Sequence, residues 1–261
     1  MPSTVTLEEA PRKELHVFYV LDTSGSMMGS KISSLNHAME ECTEALKDLA
    51  KKNGDAKLKI AALQFSSGCK WVTSNGPENM DDFEWEYLEA GGLTDMGAAL
   101  KELDSKLSRN AYLDSMTGAL MPVIIFMTDG YATDEWEKPL AEIRNNKWFK
   151  RGTKIGFAIG DDADTSMISS VVGNSEAVIK TTDLTLFERL MKFVTVTSSM
   201  LNSVSHPADV KTSGDAVVQA AKEELGLEDN ITPQLDPTEY KKEPEPTSSD
   251  TTDDWDDDED W

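Results

Sequence analysis

Apolar runs without polar alternation recur along the chain at HVFYVLD (16–22), KLKIAALQF (57–65), MPVIIFMTDG (121–130), KIGFAIG (154–160) and AVIK (177–180). Short, β-branched and aromatic, such runs read as strands covered on both faces. Between them the period changes to three and four. Leu35, Met39, Cys42, Leu46 and Leu49 place one apolar stripe on a helix over 31–51, which NGD closes with Gly54 just past its end. A second helix starts at Thr94 and turns Leu100, Leu103 and Leu107 inward; others begin near Asp134 and Asp164, and one runs from about Thr185 to Met200. CKWVTS (69–74) is close enough to the second strand to pair with it as an edge hairpin. Strands alternating with helices predict an α/β domain: a mostly parallel sheet between two helical layers, with one antiparallel edge strand.

The pattern stops near Ser205. SGDAVVQAAKEELG (213–226) can form one modest helix with Ser213 or Asp215 near its cap, after which Pro, Glu, Asp, Ser and Thr dominate. This divides the 261 residues into an extension (1–13), a folded domain (14–204), a linker with a short helix (205–229) and an acidic tail (230–261) expected to be disordered. Charge follows the same division. From Ser205 onward stand 4 basic and 18 acidic residues, −14 of the total −23. That excess repels phosphate backbones and anionic membranes, which disfavours nucleic acid and lipid surfaces and favours cations or basic protein surfaces. Cys42 and Cys69 stand in no zinc or redox spacing and read as buried thiols, the first residues carry acids instead of an export signal, and no run is long enough to span a bilayer. A cytoplasmic location is the expectation.

Chemistry concentrates in the turns that follow strands, where ligands sit in open parallel sheets. LDTSGSMMGSK (21–31) sets Asp22, Ser24 and Ser26 on alternate positions; GGLTD (91–95) brings Thr94; TDG (128–130) brings Asp129. Each turn supplies oxygen and none supplies sulfur or imidazole. Hydroxyls with two carboxylates at most suit a hard divalent cation, Mg²⁺ or Mn²⁺, and leave it positive charge and a vacant coordination place that invites a partner's carboxylate. Asp22 and the serines could also form a capping turn, and Thr94 an N-cap. A phosphate loop fails, because Ser30 stands where G-x-x-x-x-G-K-[ST] needs its second glycine and Ile32 follows Lys31. No G-x-S-x-G elbow accompanies the three histidines, and no base stands near a nucleophile. The pattern therefore favours binding without turnover, with a metal-dependent enzyme acting on phosphates, or a scaffold whose metal only stabilises loops, as the alternatives.

D-x-S-x-S, a threonine in a second loop and T-D-G after a later strand together resemble the metal-ion-dependent adhesion site (MIDAS) of von Willebrand factor A (VWA) domains, over about residues 14–204. GGLTDMGAAL and FMTDGYATDEW are most similar to the bacterial TerY-like proteins of tellurite-resistance and stress gene clusters. The resemblance implies a Rossmann-like three-layer sandwich. It also implies direct coordination by Ser24 and Ser26, with Thr94 joining when a ligand carboxylate is bound and Asp22 and Asp129 acting largely through water. A protein kinase and a phosphatase, often encoded beside TerY-like proteins, are the partners it suggests.

Three features stand apart. Asp161, Asp162 and Asp164 do not match a calcium loop, and Asp164 reads as a helix cap. Met27 and Met28 are candidates for an apolar rim beside the metal site. In the tail, DDWDDDEDW (253–261) sets Trp255 and Trp261 in an acidic run, either a solubilising brush or a motif that docks in a basic groove of a partner protein. Thr247 and Thr251 each have an acid three residues on, and are candidates for phosphorylation by resemblance.

Overall fold

The computed structural model describes residues 12–73, 76–116, 118–161, 163–203 and 213–227. Most of the N-terminal extension, the acidic tail with Trp255 and Trp261, Thr247, Thr251 and Asp162 lie outside them. The strands are β1 (Lys13–Asp22), β2 (Ala56–Ser66), β3 (Gly68–Trp71), β4 (Glu78–Asn79), β5 (Val123–Thr128), β6 (Thr153–Ile159) and β7 (Val178–Thr181). They form one sheet in the order β3-β2-β1-β5-β6-β7, with β4 also paired to β2. β1, β2, β5, β6 and β7 pair in parallel, whereas β3 and β4 lie antiparallel to β2. This is a three-layer α/β sandwich with the expected antiparallel edge.

β1 shows why the core has two halves. Leu15, Val17, Tyr19 and Leu21 enter one apolar cluster and Phe18 and Val20 the other, the period of two that a strand imposes. On the first face lie α1 (Ser30–Lys52) and α6 (Leu184–Ser203), contributing Leu35, Met39, Leu46, Phe187 and Leu190. On the second lie α2 (Met96–Lys106), α3 (Glu137–Ile143) and α5 (Thr165–Val172), with Leu100, Leu140 and Ile168. Fully buried, each of these side chains is worth about 1.5–3 kcal/mol relative to exposure. Tyr19 keeps its hydroxyl satisfied at this depth by donating to Thr195 Oγ1 at 3.2 Å. Cys42 is buried as expected, its thiol pushed up to about 12 chiefly by burial, while Cys69 is only half-buried.

Two helices differ from the sequence reading. α2 begins at Met96, not Thr94. The single helix expected from Asp134 is two, α3 and α4 (Lys147–Arg151), because Asn146 ends one and caps the other: its Oδ1 accepts from Trp148 N at 2.9 Å, and its amide donates to Asp104 Oδ1 and Leu107 O. The stretch from Met80 to Thr94, which has no regular structure, is held by Asn36 of α1. This buried amide accepts from Leu88 N at 2.8 Å and donates to Leu88 O at 2.9 Å, replacing the backbone partner a strand would have supplied. Beyond α6, α7 (Gly214–Glu224) packs Val217, Val218 and Ala221 into the first core.

Candidate metal site

Connections from β1 and β5 leave in opposite directions, toward β2 on one side and β6 on the other, so a crevice opens between their carboxyl ends. Asp22 ends β1 and Asp129 follows β5. Both are buried. Asp22 is gripped at each oxygen: Oδ1 accepts from Ser24 N at 2.8 Å and Oδ2 from the Thr128 hydroxyl at 2.6 Å. Burial pushes its carboxyl above the usual range, the Ser24 and Thr128 hydrogen bonds pull it back, and the charge of Asp129 adds to the rise.

From Asp22 the chain enters a single 3₁₀ turn, Gly25–Met27, which brings the two serines side by side. Ser24 Oγ and Ser26 Oγ stand 3.0 Å apart, and Ser26 donates to Asp129 Oδ1 at 2.7 Å. Four of the five residues singled out in the sequence thus join one cluster of oxygens. The capping alternative holds only for Asp22, whose Oδ1 takes the Ser24 N–H in a local turn; the serines do not cap, since neither Ser24 nor Gly29, the residues that precede the 3₁₀ turn and α1, makes a side-chain cap.

Thr94 is buried but contributes no side-chain hydrogen bond to this cluster. Its loop is joined to the first by backbone, with Gly25 N donating to Gly92 O at 3.0 Å and Gly91 N to Thr23 O at 2.8 Å. Gly92 has φ +87°, and a Cβ there would stand 2.7 Å from Ser67 Oγ. Nor is Thr94 an N-cap: its N–H donates to Thr133 Oγ1 and its carbonyl accepts from Thr133 N, both at 2.9 Å. The cap of α2 comes from a third loop, where Asp134 accepts from Gly97 N at 2.9 Å and Ala98 N at 3.0 Å. So close an approach requires Gly97, whose Cβ would fall 2.2 Å from Glu135 O.

Lys31 is a member that sequence reasoning passed over except to reject a phosphate loop. Its ammonium lies 2.5 Å from Asp129 Oδ2, where Asp129 is fully enclosed and Lys31 about one-third exposed. A cation is therefore already drawn to this carboxylate. Around the cluster stand Met28, Leu93 and Tyr131, each more than half exposed and each on a different one of the three loops. Met27, by contrast, is fully buried beneath the site, so only one of the two methionines is at the rim.

The donor set fits a small hard cation. Oxygen ligands at 2.0–2.1 Å in octahedral array are about 2.9 Å apart along an edge, and the 3.0 Å separation of the Ser24 and Ser26 hydroxyls lies close to that, while Asp129 accepts from Ser26 and orients its hydroxyl. Among the described residues no group of three His, Cys, Asp or Glu could hold a metal, which leaves hydroxyls as necessary members of any site here. Asp164 is explained without metal: its Oδ1 accepts from Ser166 N and Met167 N and caps α5.

The profile of the von Willebrand factor type A domain matches residues 16–193, well over half of the chain. The chain belongs to that family. Among curated relatives, human inter-alpha-trypsin inhibitor heavy chain H6 is 26% identical over 162 residues, 60% of this chain and 12% of that protein, so the chain spans only a small part of that relative's length. Among solved structures, a von Willebrand factor type A protein from Catenulispora acidiphila superposes with TM-score 0.54 at 18% identity, over 71% of this chain and 42% of that one. Proximal thread matrix protein 1 from the mussel byssus, with a zinc-occupied MIDAS motif, gives TM-score 0.52 at 16% identity over 71% and 48%. The ArnB paralog VWA2 from Sulfolobus acidocaldarius gives 0.51 at 16% over 70% and 45%. At these identities the structural matches establish the fold. VWA domains are generally metal-dependent protein-interaction modules. Among the described residues, no helix of this one is long and apolar enough to cross a membrane.

Proposed function

We propose that this VWA domain is a non-enzymatic adaptor that recruits a protein partner by presenting Mg²⁺ or Mn²⁺ to one of the partner's Asp or Glu side chains. The observation that carries this is the placement of a hydroxyl–carboxylate cluster at the crevice with three exposed apolar side chains, Met28, Leu93 and Tyr131, around it. Ser24 and Ser26 would hold the ion directly and Thr94 would join them, with Asp22 and Asp129 acting through water and orienting the hydroxyls. A bound divalent ion supplies a hard positive charge with room for an external oxygen. Neutral hydroxyls leave that charge largely uncancelled, and the apolar rim adds area that a partner can desolvate. The GGLTDMGAAL and FMTDGYATDEW segments support a TerY-like role in a tellurite-resistance, stress or kinase–phosphatase signalling system, and two unpaired cysteines suit a reducing cytoplasm.

The test replaces Ser24 and Ser26 by Ala together. Mn²⁺ affinity, followed by electron paramagnetic resonance, should fall about 100-fold or more, and Mg²⁺-dependent retention of partners should vanish as it does with EDTA, while the melting temperature in EDTA stays put. Normal partner binding by the double variant would overturn the reading. Nucleotide turnover by purified protein would replace it with phosphate chemistry, and a chelator that lowered melting temperature without altering partner binding would reduce the metal to a structural brace.

A further inference from the structure

The opposite pole of the sheet, at the amino ends of β5, β6 and β7, carries an unusual surface for so acidic a chain. RNNKWFKRGTK (144–154) holds five basic residues and no acid. Lys147, Lys150 and Arg151 lie three and four apart on α4, hence on one face. Two cavities flank that helix. One, of about 440 Å³, takes Lys150, Arg151 and Lys154; the other, of about 510 Å³, takes Arg109, Lys147 and the half-buried Trp148. Arg151 lines both. The single acid lining either is Asp215, at the start of α7. Arg109, Lys147, Lys150 and Arg151 make no ion pair among the described residues. Their charge is left for something else.

The chain supplies a matching segment. Asp253–Trp261 has seven acids, no base and two tryptophans. α7 begins on the rim of the first cavity at Ser213 and Gly214, so the polypeptide leaves the domain from an element anchored there. Residues 228–252 can span up to about 85 Å, far more than the pole requires, and tethering raises the local concentration of the acidic run to the millimolar range. An external acidic peptide must compete with that, and must also approach a molecule of net charge −23. We infer that Asp253–Trp261 docks on its own domain across Arg109, Lys147, Lys150 and Arg151, held by charge and anchored by Trp255 and Trp261 in the two cavities. Both are within the size range of small-ligand pockets, and tryptophan and arginine are the usual anchors of such contacts. Because this surface lies at the far end of the strands from Ser24 and Ser26, the docked tail leaves the metal loops clear, and the inference does not depend on the adaptor reading.

Zero-length carbodiimide cross-linking of the full chain, with mapping by mass spectrometry, tests this. Amides should join tail acids to Lys147 and Lys150 at least fivefold more often than to Lys51 and Lys101, exposed lysines on α1 and α2. The preference should disappear in 0.5 M NaCl and in an Arg109→Glu plus Arg151→Glu variant, whose reactive lysines remain. EDTA should change nothing. An even spread over all lysines, or links found only between copies in a ¹⁴N/¹⁵N mixture, would overturn the proposal; so would links abolished by EDTA, which would place the tail at the metal loops instead.

Discussion

The two ends of β1 treat buried polar groups in opposite ways. At its carboxyl end Asp22 is fully enclosed with both oxygens hydrogen-bonded, and it orders the turn that carries Ser24 and Ser26. At its amino end His16 is almost completely buried, stacks on Phe18, and has no partner for Nδ1; its Nε2 stands 3.7 Å from Glu14 Oε2, which also lies 3.4 Å from Lys59 Nζ without a hydrogen bond. One end is tied together for a ligand. The other tolerates an imidazole only while it is neutral. Position in the topology decides the difference, because the loops that can converge on a ligand leave from the carboxyl ends of the strands.

The largest effect lies at the amino end. Burial, reinforced by the charge of Lys59, lowers the His16 pKa from 6.5 to about 4. Between those values the unfolded chain holds a proton that the folded chain refuses, so stability is full above about pH 6.5 and is lost as pH falls toward 4, by up to about 3 kcal/mol. Urea unfolding at pH 7, 5.5 and 4.5 should show that slope, and His16→Leu should remove its share. A wild-type profile that stays flat would mean the imidazole is not desolvated.

At the carboxyl end the expected changes are smaller. Asp134→Ala removes the acceptor for two N–H groups of α2 and should cost about 1–2 kcal/mol in urea unfolding, with Mn²⁺ affinity weakening a few-fold as the neighbouring Thr94 loop loosens. An unchanged midpoint would show that the loop holds without this cap. Lys31→Met removes a competing positive charge from Asp129. Mn²⁺ should then bind several-fold more tightly, while the metal-free protein loses up to about 1 kcal/mol. Weaker Mn²⁺ binding in this variant would mean that Lys31 assists the ion.

These residues also mark how far the sequence could be read. The strands and α1 were legible because apolar runs and a 3.6-residue stripe are local signals, and the oxygen-bearing turns were legible because they end those strands. Asp134 was misread as the start of a helix because the N–H groups it caps belong to α2, 36 and 37 residues earlier in the chain. The break at Asn146 depends on carbonyls of Asp104 and Leu107, and Asn36 reaches Leu88 across 52 positions. Lys31 sits 98 residues from Asp129. Nothing in local periodicity encodes such pairings.

The loops that bear the oxygens are fastened to each other through main-chain contacts, Gly25 to Gly92 and Thr94 to Thr133, whereas Met28, Leu93 and Tyr131 only project from them. Selectivity and ion retention are thus written in different residues. Exchanging the three outward side chains should re-aim the domain toward another target while its cation chemistry is inherited unaltered, which makes this end of the molecule a socket whose collar can be recut.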